Sequence, residues 1–231
     1  MREAARTAPA TRSAFGATLR NGPPVVTLTL VGMCVVSFLL QLVAPAWTDA
    51  LIFSPAIGEV EPWRFLTTTF LHSQGMILHL GFNAYLLWIL GTQVEAALGR
   101  LRMLALFTVS ALGGTVMVTL LSSRTELSWV TGVIGASGAV FGLAGAFLVM
   151  LRRLRRDPRQ IIVFLVLNAV LGFVVSGISW QGHIGGFAAG AALGAVYAYA
   201  PRERRALVGV VGTVAVAAVL VILAVLKYAG A

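Results

Sequence analysis

The chain has one cysteine, three histidines and only 11% charged residues among its 231. Each scarcity excludes something. Cys34 stands alone inside an apolar run, so neither an intrachain disulfide nor a cysteine-based zinc site can form. A soluble domain of this size carries roughly 25% charged residues. A chain that is 58% hydrophobic, with mean hydropathy +0.91, cannot cover its own surface with polar groups, and lipid must be its solvent. The length fits one compact membrane domain. The formal charge of +9 would suit nucleic acid if it were pooled, but the arginines form short clusters between apolar runs. That distribution follows membrane orientation and gives no nucleic-acid surface.

What is present is long apolar sequence. Seven runs lie near 25–44, 78–98, 102–122, 134–151, 161–176, 182–200 and 206–227, each close to the roughly 20 residues that a spanning helix needs. Residues 1–23 are basic, lack the apolar core and cleavage site of a signal peptide, and are expected to be a disordered cytoplasmic tail. Arg100 and Arg102, the five arginines from Arg152 to Arg159, and Arg202, Arg204 and Arg205 fall in every second connection. The N-terminus is therefore expected in the cytoplasm and the C-terminus outside. Residues 45–77 mix Trp47, Phe53, Trp63, Phe65 and Phe70 with Asp49, Glu59, Glu61 and Arg64. They read as short helices in the outer interface, where aromatic rings favour the headgroup level.

In this topology the second, fourth and sixth runs all enter from the outer face. Their first turns carry His79, Ser137 and His183, so three polar groups distant in sequence come to one depth. Ser137 lies in Gly135-Ala136-Ser137-Gly138. Its hydroxyl beside the free N–H groups of a helix start suits a nucleophile with an oxyanion site, while Gly138 and Gly142 equally suit close helix contact. His183 is an ionisable group within a membrane run, where such groups are costly. It reads either as the base that a serine needs or as a neutral hydrogen-bonding imidazole. Gly182, Gly186, Gly190 and Gly194 recur every four residues. If that face meets Gly138 and Gly142, His183 comes within hydrogen-bond range of Ser137.

Phe141, one turn below Ser137 on the same face, can hold the imidazole plane by stacking or act as a core ring. His79 and Asn83 share a helix face and read as oxyanion donors or as interhelical hydrogen bonds. Trp63 and Arg64 read as an interface anchor, through ring burial and an arginine reaching headgroups or backbone carbonyls. Glu95, about four turns below His79, reads as a helix cap or cross-link, and Asn168 as a hydrogen bond between packed helices. A metal bound by His72, His79 and His183 would lack any carboxylate or thiol, and no His-Glu-x-x-His is present. The reading takes neither metal nor cofactor.

Together Trp63-Arg64, His79-x-x-x-Asn83, Glu95, Gly135-Ala136-Ser137-Gly138 and His183-x-x-Gly186 resemble the rhomboid intramembrane serine proteases, over about residues 25–200. The resemblance implies an all-α polytopic bundle with a six-helix catalytic core at 24–200. A basic loop and a seventh helix at 201–231 complete it. It also implies Ser137 as nucleophile, His183 as general base, and an oxyanion hole of His79, Asn83 and the Ser137 backbone N–H. Gly135 would shape that hole, and Gly186 would let the fourth and sixth helices approach. Many members carry tyrosine where this chain has Phe141, and the segment around Ser73-Gln74-Gly75 is longer than in compact relatives.

The expected activity is cleavage of transmembrane protein substrates near the outer face of a membrane, through an acyl-enzyme. Membrane lipid is the other partner, nucleic acid is not one, and the oligomeric state is left open. The Ala/Val/Gly/Arg-rich composition looks bacterial, which points to a plasma (inner) membrane. Two other classes stand beside the protease: a rhomboid-like protein that holds membrane clients without cutting them, and a small transporter. The first is expected to lack the serine or histidine. The second needs paired charges inside its helices.

Overall fold

The computed structural model describes residues 12–18, 22–174 and 178–230. Among the described residues, each of the seven apolar runs contains a helix. These are α1 (Val25–Val43), α5 (Ile77–Leu98), α6 (Arg100–Leu121), α7 (Ser137–Arg153), α8 (Arg159–Val174), α9 (Trp180–Tyr199) and α10 (Arg205–Gly230). Between the first two lie three short helices, α2 (Pro45–Leu51), α3 (Pro55–Gly58) and α4 (Arg64–Thr67). Among the described residues, four stretches are long and apolar enough to cross a membrane: α1, α5, α6 and Arg202–Gly230. The last is α10 with a preceding turn of tighter helix.

Glycine decides which helices sit at the centre. A Cβ on Gly186 would run into the Gly138 backbone, one on Gly190 into Gly142, and one on Gly194 into Ala146. On the other side of α9, a Cβ at Gly113 would lie 2.8 Å from the Gly185 carbonyl, and one at Gly114 2.9 Å from that of Gly182. α9 is thus clasped backbone-to-backbone between α6 and α7, as small residues allow where lipid supplies no hydrophobic drive for association. Leu143 and Leu193 fill the space beneath that contact and are fully buried. α10 lies against α6 and α9, with Gly212 seated on Val196.

The ends of the bundle are tied by polar groups. α1 follows two prolines and has no side-chain cap of its own. Glu95 of α5 supplies one: its carboxylate accepts from Val26 N at 3.2 Å, Thr27 N at 2.8 Å and Thr27 Oγ1 at 2.8 Å. Those N–H groups have no partners within their own helix, and the carboxylate also favours the positive helix end. α5 and α6 meet at Gly99, whose φ of +86° is a conformation that only glycine adopts cheaply.

The described part of the N-terminal segment departs from the expected disorder. Arg12–Thr18 form a small turn closed by a bridge between its ends, with Phe15 only 3% exposed. Ser13 Oγ donates to the Ala97 carbonyl, Arg102 to that of Phe15 and Arg205 to that of Ala14. A buried ring plus three hydrogen bonds to helix ends outweighs the composition that argued for a free tail. Residues 1–11 and 19–21 lie outside the described residues. Asn168 also differs: its amide donates to Phe164 O of its own helix and joins no neighbour through that bond.

Candidate active site

Residues 45–76 form the wall on which the site is built. Arg64 is buried. Its Nη1 donates to the carbonyls of Asp49 at 2.5 Å and Ile52 at 2.9 Å, and its Nε to Glu61 at 2.6 Å. It therefore caps the end of α2, where unpaired carbonyls and the negative helix end both favour a cation. The expected carbonyl contacts are present, and the Trp63 ring beside it lies on the protein surface, 54% exposed. Phe53 and Phe65 correct the reading of these aromatic rings as lying at the headgroup level. Their rings lie 4.5 Å apart and pack inward, buried by protein.

This wall holds the strand of chain that leads into α7. Val133 N donates to Phe53 O at 2.8 Å, the Thr68 hydroxyl donates to Val133 O, and Gly135 N donates to Thr68 O at 3.2 Å. Gly135 has φ +119°, and a Cβ there would fall 2.8 Å from His79 Nε2 and 3.9 Å from Ser137 Oγ. Any side chain would occupy the space between those two groups. Glycine is required twice here, for the backbone angle and for the gap.

Ser137 is the first residue of α7, with the unpaired N–H groups of that turn beside it. His79 is held by the loop before its helix: Ser73 N donates to His79 Nδ1 at 3.2 Å. A nitrogen that accepts carries no proton, so the hydrogen of the neutral ring lies on Nε2, the atom facing Gly135. The Asn83 amide donates to His79 O at 2.8 Å, which takes one of its two N–H groups.

His183, in the first turn of α9 and 9% exposed, lies flat against Phe141, with ring centroids 4.2 Å apart and planes at 9°. Among the described residues no hydrogen bond joins Ser137 Oγ to the His183 ring, and His183 Nδ1 is buried without a partner. The sequence reading expected that bond once the two glycine faces met. The faces do meet, and the ring is oriented by stacking instead. Hydrogen bonds of this kind are often long before a substrate arrives. A cavity of about 30 Å³ opens beside Ser137, lined among others by Thr69, Thr115, Ser179 and Gly182. That is room for ordered water.

His72, weighed in the sequence only as a metal ligand, and Gln41, given no role there, are both buried beside the site. The His72 ring lies 5.3 Å from that of His79 and its Nδ1 meets Phe70 O at 3.3 Å. Burial first, and then the neighbouring His79, push its pKa down to about 4, so it is neutral at ordinary pH. Among the described residues, no three His, Cys, Asp or Glu side chains gather as a metal site would require.

Comparison with known proteins places this geometry in a family. The family model described as "Rhomboid domain" matches residues 59–200. The chain is 34% identical over 199 residues to rhomboid protease GluP of Bacillus subtilis (strain 168), covering 79% of this chain and 38% of that protein. It is 27% identical over 217 residues to rhomboid protease AarA of Providencia stuartii, covering 80% and 76%. With rhomboid protease GlpG of Salmonella paratyphi A (strain ATCC 9150 / SARB42) the identity is 30% over 211 residues, covering 84% and 70%. The chain belongs to the rhomboid family, as a helical multi-pass membrane protein. It spans less than half the length of GluP and of the Arabidopsis thaliana RHOMBOID-like protein 5.

Proposed function

We propose that this protein is an intramembrane serine endopeptidase that cuts transmembrane segments of other membrane proteins near the outer face. Ser137 Oγ attacks the substrate carbonyl and His183 takes its proton. The oxyanion is met by His79 Nε2–H, by the free N–H of Asn83 and by the backbone N–H of Ser137. The C–N bond breaks as the amine leaves with a proton from His183. Water then attacks the acyl-enzyme, His183 acting again as base, and Ser137 is regenerated. Phe141, Gly135 and Gly186 set positions, whereas Trp63, Arg64 and Glu95 hold the scaffold. The chemistry calls for no cofactor.

The observation that carries this reading is the flat stack of His183 on Phe141 across the close contact of Gly138 and Gly142 with Gly186 and Gly190, one turn from Ser137. Three of the relatives, GluP, AarA and GlpG, are named rhomboid proteases, which agrees with it. In the same reading the N-terminus is cytoplasmic and all seven helices span. Residues 24–200 form the catalytic core, residues 201–231 add the seventh helix, and the whole sits in a bacterial plasma membrane. A substrate must leave its helix to present a carbonyl, so small or helix-breaking residues near the cut are expected.

Purified protein in detergent or lipid tests this directly. A fluorophosphonate should label Ser137. Ser137→Ala and His183→Ala should each abolish cleavage of a model transmembrane substrate, and a chelator should leave the rate unchanged. Undiminished cleavage by Ser137→Ala would overturn the assignment.

A further inference from the structure

We propose that Gln41, at the outer end of α1, is a positioning residue that sets the protonated nitrogen of His79. This rests on the proposed oxyanion role of His79. Gln41 lies before the matched span 59–200 and is 2% exposed. Its side-chain amide pairs with the main chain of His72 at both ends: His72 N donates to Oε1 at 2.9 Å, and Nε2 donates to His72 O at 3.1 Å. Gln74 closes the loop by donating from its side chain to the Gln41 carbonyl, one of the last carbonyls of α1, which lack partners in their own helix.

A two-point amide grip of this kind ties both peptide units that flank His72, the second of which carries the Ser73 N–H. The next N–H along the chain, that of Ser73, is the one that reaches His79 Nδ1 at 3.2 Å. The relay therefore runs from α1 through His72 and Ser73 to the imidazole. It ends at Nε2, across the Gly135 gap from Ser137. Without the grip, Ser73 N is free to turn, and the neutral ring can place its hydrogen on either nitrogen. The Nδ1–H form presents a lone pair, not a donor, to the developing oxyanion. Removing one such donor costs about 100- to 1,000-fold in kcat.

Gln41→Leu should then lower kcat roughly 10- to 100-fold while KM stays within about threefold, because part of the ring population keeps the useful tautomer. In a His79→Ala background the same substitution should change kcat less than about twofold, since residues acting through one another are not additive. Ser37→Ala is the control. It cuts another tie between α1 and the outer segment, the bond from Trp47 Nε1 to Ser37 Oγ at 3.0 Å, without touching the relay. It should lower the unfolding temperature and leave kcat alone.

Nitrogen-15 NMR of histidine-labelled protein reads the tautomer without any catalysis. His79 should show an unprotonated Nδ1 in the native chain and a mixture in Gln41→Leu. Gln41→Glu, which keeps the length and one acceptor for His72 N, serves if Gln41→Leu does not fold, and should give a smaller shift in the same direction. Equal kcat losses in the two backgrounds, or an unchanged His79 spectrum, would overturn the relay. Cleavage that survives Ser137→Ala sinks the protease reading whatever the spectrum shows, so the two failures are distinguishable.

Discussion

The imidazole of His183 lies on the ring of Phe141 at 4.2 Å, nearly parallel, and so has its plane set by a residue of a different helix. Stacked aromatic pairs contribute about 0.5–1.5 kcal/mol beyond their buried area. Phe141→Leu keeps an apolar side chain but removes the ring that sets the plane, and should lower kcat roughly 3- to 10-fold with little change in KM. Phe141→Tyr retains the stack and should stay within about twofold of the native rate. Steady-state kinetics on a model transmembrane substrate separate the two. A leucine variant as fast as the native chain would show that the stack does not orient the base.

Glycine substitutions should divide by what a methyl would meet. At Gly186 it meets the Gly138 backbone, which cannot yield without parting α7 from α9. Gly186→Ala should therefore cost about 1–3 kcal/mol and most of the activity together. At Gly135 it meets the His79 ring and a φ of +119°, so Gly135→Ala should remove activity with a smaller loss of stability, about 1–2 kcal/mol. Gly32 and Gly81 have open space around them, and alanine there should be neutral or slightly stabilising. Thermal unfolding in detergent beside activity gives both readings for each variant.

Much of this site could be read before the fold. Ser137, His183 and Phe141 were legible because helix periodicity fixes which face a residue takes, and the glycines at four-residue spacing named the surfaces that meet. That His79 comes level with Ser137 followed from topology alone. What escaped depends on non-helical chain. The grip of Gln41 on His72 joins residues 31 apart, and an isolated glutamine in an apolar run carries no periodic signal. The docking of Phe15 escaped for a similar reason. Composition describes the average behaviour of a basic, small-residue segment, whereas one ring that finds a slot between helix ends decides its place.

Glu95 should matter to stability far more than to chemistry. Its two oxygens accept three hydrogen bonds from the start of α1, with Arg100 Nε 3.8 Å away. Glu95→Ala leaves the N–H groups of Val26 and Thr27 without a partner, at about 1–3 kcal/mol for a buried unsatisfied group. Glu95→Gln keeps one acceptor and should lose about half as much. Both should lower the unfolding temperature while the surviving folded fraction cleaves at the native rate. A fall in kcat per folded molecule would place Glu95 in the chemistry, against its position far along α5 from His79.

The last prediction concerns acid. His72 is neutral and fully buried, with its pKa pushed from the ordinary histidine value of 6.5 down to about 4 by burial and by the nearby His79. Between those values the unfolded chain binds a proton that the folded chain refuses, so stability rises with pH across that window. The contribution is fully present above pH 6.5 and is lost progressively as pH falls to about 4. At 1.36 kcal/mol per pH unit it amounts to about 3 kcal/mol. His72→Gln has no titrating group there, although its amide need not replace the bond to Phe70. The variant should be less stable at pH 7, yet show a shallower decline between pH 6.5 and 4 than the native protein. Unfolding midpoints measured across that range test it. Parallel declines for the two proteins would mean that the acid sensitivity of the fold lies in groups other than this ring.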